Sequence, residues 1–281
     1  MTKISNYNKN YLIAEDIICK DCNGNVFEKY EDLLIPKNLP REKAESGNPS
    51  PYAETGNIHK IVDMFEGTNK FLPSMALTFA ITKACFNERN KHRGISKVLE
   101  QYTGNRCNYG IFLQNTFFET NNTCKIVHYP NKEDLLNGWN YHDDAGEFRL
   151  GNSKKILNSK MNQINSRVEL SGHGIGGFDK AKNYFIEDLV KEESYRKHLT
   201  DLLGDEDFIG ILKGLSKFLG KNNTQCITYR ARKWNDDSPI FTGVGFGGVN
   251  DTFSDFHSLK INMEGYANAS AVFRYVEKLN N

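Results

Sequence analysis

Residues 11–36 read YLIAEDIICKDCNGNVFEKYEDLLIP, two mixed apolar and charged stretches set about Cys22-Asn23-Gly24-Asn25. An Asn-Gly pair takes up positive φ at little steric cost. The runs Leu12-Ile13 and Val26-Phe27 on either side supply apolar side chains to face one another, so a β-hairpin is expected. Pro36, Pro40, Pro49 and Pro51 follow among Gly, Ser, Asn and charged residues, which marks residues 36–57 as a long loop or linker. Residues 1–56 therefore read as an N-terminal hairpin with a proline-rich loop, and 57–281 as the main body, with a further division near 150–170.

Beyond the loop the apolar period lengthens. Ile58, Ile61, Val62 and Phe65 have helical spacing, with Gly67 to end the turn. Ser74–Asn90 carries Leu77, Ile81, Ala84 and Cys85 on one face behind Pro73, and Ile95–Tyr102 makes a third, shorter helix. Residues 107–130 return to alternation (Tyr109, Ile111, Leu113, then Lys125–Tyr129) around Asn121-Asn122-Thr123, the pattern of a second hairpin. The stretch 131–150 is expected to be a loop with a short helix, and 153–165 is helix-compatible but polar. Arg167–Leu170 is a short strand, Lys180–Leu203 the clearest helix and Asp207–Leu219 another. Gln225–Trp234 is a strand, and Ala267–Leu279 a final strand or helix. Interleaving without regular βαβ spacing predicts an α+β fold of mixed helices and short antiparallel strands. The 12% of Phe, Tyr and Trp predicts an aromatic-rich core.

Composition narrows the function classes. Met1–Asp21 has no apolar run of signal-peptide length, and no stretch approaches a membrane span, so a cytoplasmic protein without membrane contact is expected. Six scattered cysteines in 281 residues do not form a disulfide framework. Net charge is +1, but residues 71–170 hold 13 Lys/Arg against nine Asp/Glu, the one net basic third and a pointer to an anionic partner.

Four constellations carry candidate chemistry. Cys19-Lys20-Asp21-Cys22 is a C-x-x-C whose thiolates could share a structural zinc ion with Cys124 and His128 on the second hairpin. Gly172, Gly174 and Gly177 satisfy G-x-G-x-x-G ahead of the expected long helix, a place where backbone N–H groups can meet a phosphate. Arg149, Lys154, Lys155, Lys160 and Arg167 lie in a stretch without acids, and Lys83, Arg89, Lys91, His92, Arg93 and Lys97 form a second basic group. A third is Arg230, Arg232 and Trp234 on one face of the expected strand. Arginine beside an aromatic ring is the pairing that grips phosphate and stacks on bases. Finally, His142, Asp143, Asp144 and Glu147 offer oxygens and an imidazole to a Mg²⁺ ion of the kind a metal-dependent nuclease uses.

The stretch from Tyr229-Arg230 through Ile240-Phe241 to Gly245-Phe246 loosely resembles the opening of the toxin-type ADP-ribosyltransferases, with His257 and Ser270-Ala271 at matching distances. There a Tyr-Arg on a first strand binds NAD. The resemblance covers under a fifth of the chain; that family needs a glutamate on a later strand, and Glu277 lies too near Asn281 to match that position.

The leading expectation is a nucleic-acid-binding or nucleic-acid-processing protein of a microbial or viral system, a metal-dependent nuclease (a hydrolase) in its sharpest form. The alternatives are a non-catalytic protein-binding or structural module, and a nucleotide- or NAD-using enzyme with the glycine loop as phosphate site.

Overall fold

The computed structural model describes residues 2–38, 42–43, 49–50, 64–102, 111–119, 123–129, 141–142, 148–149, 163–169, 182–218, 227–231, 240–249, 258–263 and 272–279. The fold is α+β. The N-terminal hairpin forms as the turn chemistry requires: β2 (Tyr11–Lys20) pairs antiparallel with β3 (Val26–Pro36), and Gly24 holds φ +83° at the turn. Asp21 fixes that turn, its Oδ1 accepting from the N–H groups of Asn23 (2.9 Å) and Asn25 (2.8 Å).

One feature of this hairpin was not legible in its alternation. In β2 the inward residues are Leu12 and Ala14, then Ile17 and Cys19; in β3 their partners are Glu28, then Leu33 and Ile35, with Leu34 and Pro36 buried as well. Both strands change phase at the same level, although Glu15 still pairs with Asp32 and Ile17 with Tyr30. Asp16, at φ +55°, sits at the change and turns the far half of the hairpin over. The side chain of Glu28, which alternation would send to solvent, is buried as a result.

β1 (Lys3–Asn6) adds to β2 at the outer edge, and the C-terminal β17 (Val276–Lys278) inserts between β3 and β6 (Lys70–Phe71). The sheet is five-stranded and antiparallel, in the order β1-β2-β3-β17-β6. The short pair β4 (Glu42–Lys43) and β5 (Pro49–Ser50) lies within the proline-rich stretch.

Helix α1 (Met75–Glu88) packs on this sheet behind the N-cap Ser74, whose Oγ accepts from the Leu77 N–H at 3.0 Å. It is buried nearly all round, Met75 and Phe79 as fully as Leu77 and Ile81, because α2 (Arg93–Tyr102) and α4 (Glu193–Leu203) cover the sides the sheet leaves open. α4 ends in Gly204 at φ +67°, and α5 (Phe208–Phe218) follows. The four-residue α3 (Ile186–Leu189) precedes α4.

The expected helix from Lys180 to Leu203 is corrected. Lys182–Phe185 is a strand, β12, paired antiparallel with β13 (Ile227–Ala231), and helix begins only at Ile186. Pairing with a distant strand overrides the local helical pattern. β13 runs parallel to β15 (Ser258–Met263), which pairs with β14 (Ile240–Val249), and β14 pairs with β7 (Ile111–Glu119). The second hairpin is confirmed as β7 with β8 (Thr123–His128). β11 (Gln163–Glu169) extends this sheet beyond β8, so Gln163–Asn165 are strand where helix was expected. β16 (Val272–Phe273) lies parallel to β7. In the stretch expected to hold a short helix, β9 (Tyr141–His142) and β10 (Phe148–Arg149) form a two-residue antiparallel ladder.

The aromatic-rich core is also corrected. Among the described residues the core is chiefly aliphatic, with Phe79, Tyr102, Tyr195 and Phe208 its buried rings. Tyr30, Phe71 and Tyr129 instead gather on a half-buried rim, where tyrosines keep their hydroxyls near polar partners. Among the described residues no helix is long and apolar enough to cross a membrane.

Candidate functional site

The turn from α1 to α2 presents the second basic group of the sequence. Lys91, His92, Arg93 and Lys97 are exposed. His92 shapes the turn: its Nδ1 accepts from the Gly94 N–H at 2.9 Å and its carbonyl from Ile95 at 2.9 Å, so the imidazole caps α2. Lys91 pairs with Glu88 at 2.5 Å on the surface, and Lys97 donates to the Asn38 side chain at 2.6 Å. The Lys97 contact is exposed, whereas the Glu88 side chain is only 24% exposed. Lys83 belongs elsewhere, bound to Asp205 at 2.5 Å beside a shallow cleft that Asp16 and Asn87 also line.

Beside the turn, Arg89 lies over the Phe86 ring, its guanidinium carbon 4.2 Å from the centroid and 5.5 Å from that of Phe218. Its Nη1 also donates to the Phe86 carbonyl, and its own carbonyl accepts from Ser96 Oγ at 2.7 Å. The Phe86 and Phe218 rings meet edge to face, 6.0 Å apart. Gly214 makes this approach of α5 to α1 possible, since a Cβ there would meet the Phe86 ring at 2.9 Å. Phe218, at the end of α5, is 40% exposed next to Lys217.

A second polar centre is internal. Glu28 on β3 accepts from Ser74 Oγ at 2.9 Å through one carboxylate oxygen and from the Tyr129 hydroxyl through the other. The same hydroxyl accepts from the Ser74 N–H at 3.2 Å. Burial pushes the Glu28 carboxyl above its ordinary pKa, and hydrogen bonds from Tyr129, Ser74 and Tyr30 pull it back down. Tyr129 holds φ +56°, an unusual backbone state for so bulky a residue. The cluster ties β3, the start of α1 and the end of β8 together. Sequence reasoning missed it, because Glu28 reads as one more outward charge until the phase change at Asp16 is known.

The zinc expectation meets a mixed geometry. Cys19 lies in the core, where burial and then the charges of Glu28 and Asp205 raise its thiol pKa well above the ordinary value. Cys22 lies in the turn, its N–H bonded to Asp201 Oδ1 at 2.6 Å and its thiol pushed up to about 11, chiefly by burial and then by Asp201. His128 is buried, with Nε2 3.3 Å from the Asp201 carbonyl, and burial lowers it to about 4. Cys124 is described by its backbone, in register with Glu119 and Val168. Among the described residues no three His, Cys, Asp or Glu side chains converge to hold a metal ion.

The β9–β10 ladder puts His142 opposite Phe148 and Arg149 opposite Tyr141, so these two candidate residues come close along the chain fold. Arg167 stands opposite Lys125. Arg230 lies on β13, an interior strand, in register with Asn183 and Asn262. Asp143, Asp144, Glu147, Lys154, Lys155, Lys160, Gly172, Gly174, Gly177, Arg232 and Trp234 lie outside the described residues. Lys182–Phe185, inside the helix expected after the glycine motif, is strand β12. No protein-family model matches this chain, and neither the curated proteins nor the solved structures contain a match.

Proposed function

We propose that the protein binds nucleic acid, with the α1–α2 turn as its phosphate-contacting surface. The observation that supports this reading is the exposed run Lys91, His92, Arg93 and Lys97 beside the Arg89–Phe218 pair, where the neighbouring Glu88 is already taken by Lys91. Phosphate neutralisation releases condensed counterions, so affinity should fall steeply with salt. Cleavage by His142, Asp143, Asp144 and Glu147 with Mg²⁺ is the enzymatic form of the same proposal.

Fluorescence polarisation with a labelled oligonucleotide over a salt series tests it. Lys91→Ala with Arg93→Ala and Lys97→Ala should reduce the log–log salt slope by about two to three. A wild-type protein that shows no binding at low salt ends the proposal, and the same probe incubated with Mg²⁺ reads cleavage separately.

A further inference from the structure

We infer that the strand bound at this surface is single-stranded, with an unpaired base stacked on Phe218; the inference rests on the nucleic-acid reading above. Phe218 leaves 40% of its surface to solvent, next to Lys217 in the chain and with the Arg89 guanidinium carbon 5.5 Å from its ring centroid. The ring is not a loose surface residue. Phe86 meets it edge to face, Arg89 lies 5.5 Å from its centroid, and Arg89 is itself held by the Phe86 ring and carbonyl. The close seat of Phe86 against Gly214 fixes the pair of helix ends relative to one another. A half-exposed ring held beside Arg89 and next to Lys217 matches a ligand that offers a flat π-face and a phosphate within one nucleotide. A duplex offers phosphates on its outside but keeps its base faces stacked within. A single strand offers both.

The cations and the ring make separable contributions. Lys91, Arg93 and Lys97 meet the backbone of either ligand, whereas Phe218 gains only from an unpaired base. The test uses the full chain and two fluorescein-labelled probes at one low salt concentration: a short oligothymidylate and a duplex of equal length. Wild type should bind the single strand at least about tenfold more tightly than the duplex. Phe218→Ala should weaken single-strand binding roughly 5- to 100-fold and leave duplex binding unchanged. Phe218→Trp should restore it, which a mere loss of folding would not allow. Equal wild-type affinities with no effect of Phe218→Ala overturn the stacking inference while the nucleic-acid reading stands. Binding of neither probe overturns both.

Discussion

Replacing Gly204 by alanine adds one methyl group at the point where α4 turns back onto β2. The backbone there has φ +67°, and the Gly204 N–H closes the helix on the Thr200 carbonyl at 2.7 Å. Its carbonyl accepts from Lys20 at 2.9 Å, so the residue also joins the helix end to the hairpin. An alanine Cβ would lie 2.8 Å from Cys19 Cβ and 2.9 Å from Ala76 Cβ. Neither neighbour is a flexible side-chain tip, so backbone must move. Left-handed strain costs ~1–2 kcal/mol and overpacking a further ~1–3 kcal/mol. Two other glycines separate these terms. Gly24 has φ +83° with nothing within 4 Å of where a Cβ would stand, so Gly24→Ala should cost the strain alone, about 1 kcal/mol. Gly210 on α5 has neither strain nor a close neighbour, and Gly210→Ala should stabilise by roughly 0.5–1 kcal/mol. Urea unfolding followed by circular dichroism should rank the three as Gly210→Ala above wild type, Gly24→Ala below it, and Gly204→Ala lowest by ~2–5 kcal/mol. A Gly204→Ala protein no less stable than Gly24→Ala would refute the close packing of α4 against Cys19 and Ala76.

Ser74→Ala removes both the α1 cap and a donor to the buried Glu28, and should cost about 2–3 kcal/mol in the same assay; a loss under ~0.5 kcal/mol would mean neither bond matters. His128 and His198 are both lowered to about 4 by burial, so the unfolded chain, whose imidazoles titrate near 6.5, binds more protons between those values. Stability should therefore fall as pH drops from 6.5 to 4, by up to ~3 kcal/mol per histidine, and His198→Gln should flatten the urea-midpoint profile. A flat profile in a Glu28→Gln background, where the opposing carboxyl is removed, would refute the burial of both rings. Glu28 acts in the opposite sense: its raised folded pKa gives stability that is present below the ordinary carboxylate range and lost as pH rises through the folded value, and Glu28→Gln should abolish that slope. Asp16→Gly should be neutral or stabilise by up to ~1 kcal/mol, since glycine adopts φ +55° without strain; clear destabilisation would show that the carboxylate itself holds the bend.

The first hairpin and the start of α1 behind Pro73 belong to the sequence by itself. Each is a contact within a few residues, where Asn-Gly chemistry or a hydroxyl three residues ahead of an N–H decides the backbone. The basic turn at 91–97 was legible for the same reason, as neighbouring charges stay neighbours in any helix-turn-helix. The tertiary structure alone decided the rest. Nothing local marks Lys182–Phe185 as a strand until Ile227–Ala231 pairs with it, or places β17 between β3 and β6. Nor could alternation tell that Glu28 points inward, because one left-handed residue, Asp16, exchanges the faces of two paired strands. Phe86 and Phe218 were two rings 132 residues apart in the chain. They became one surface with Arg89 only when α5 settled on α1 through Gly214, since a packing contact depends on which helices meet and local sequence does not record that.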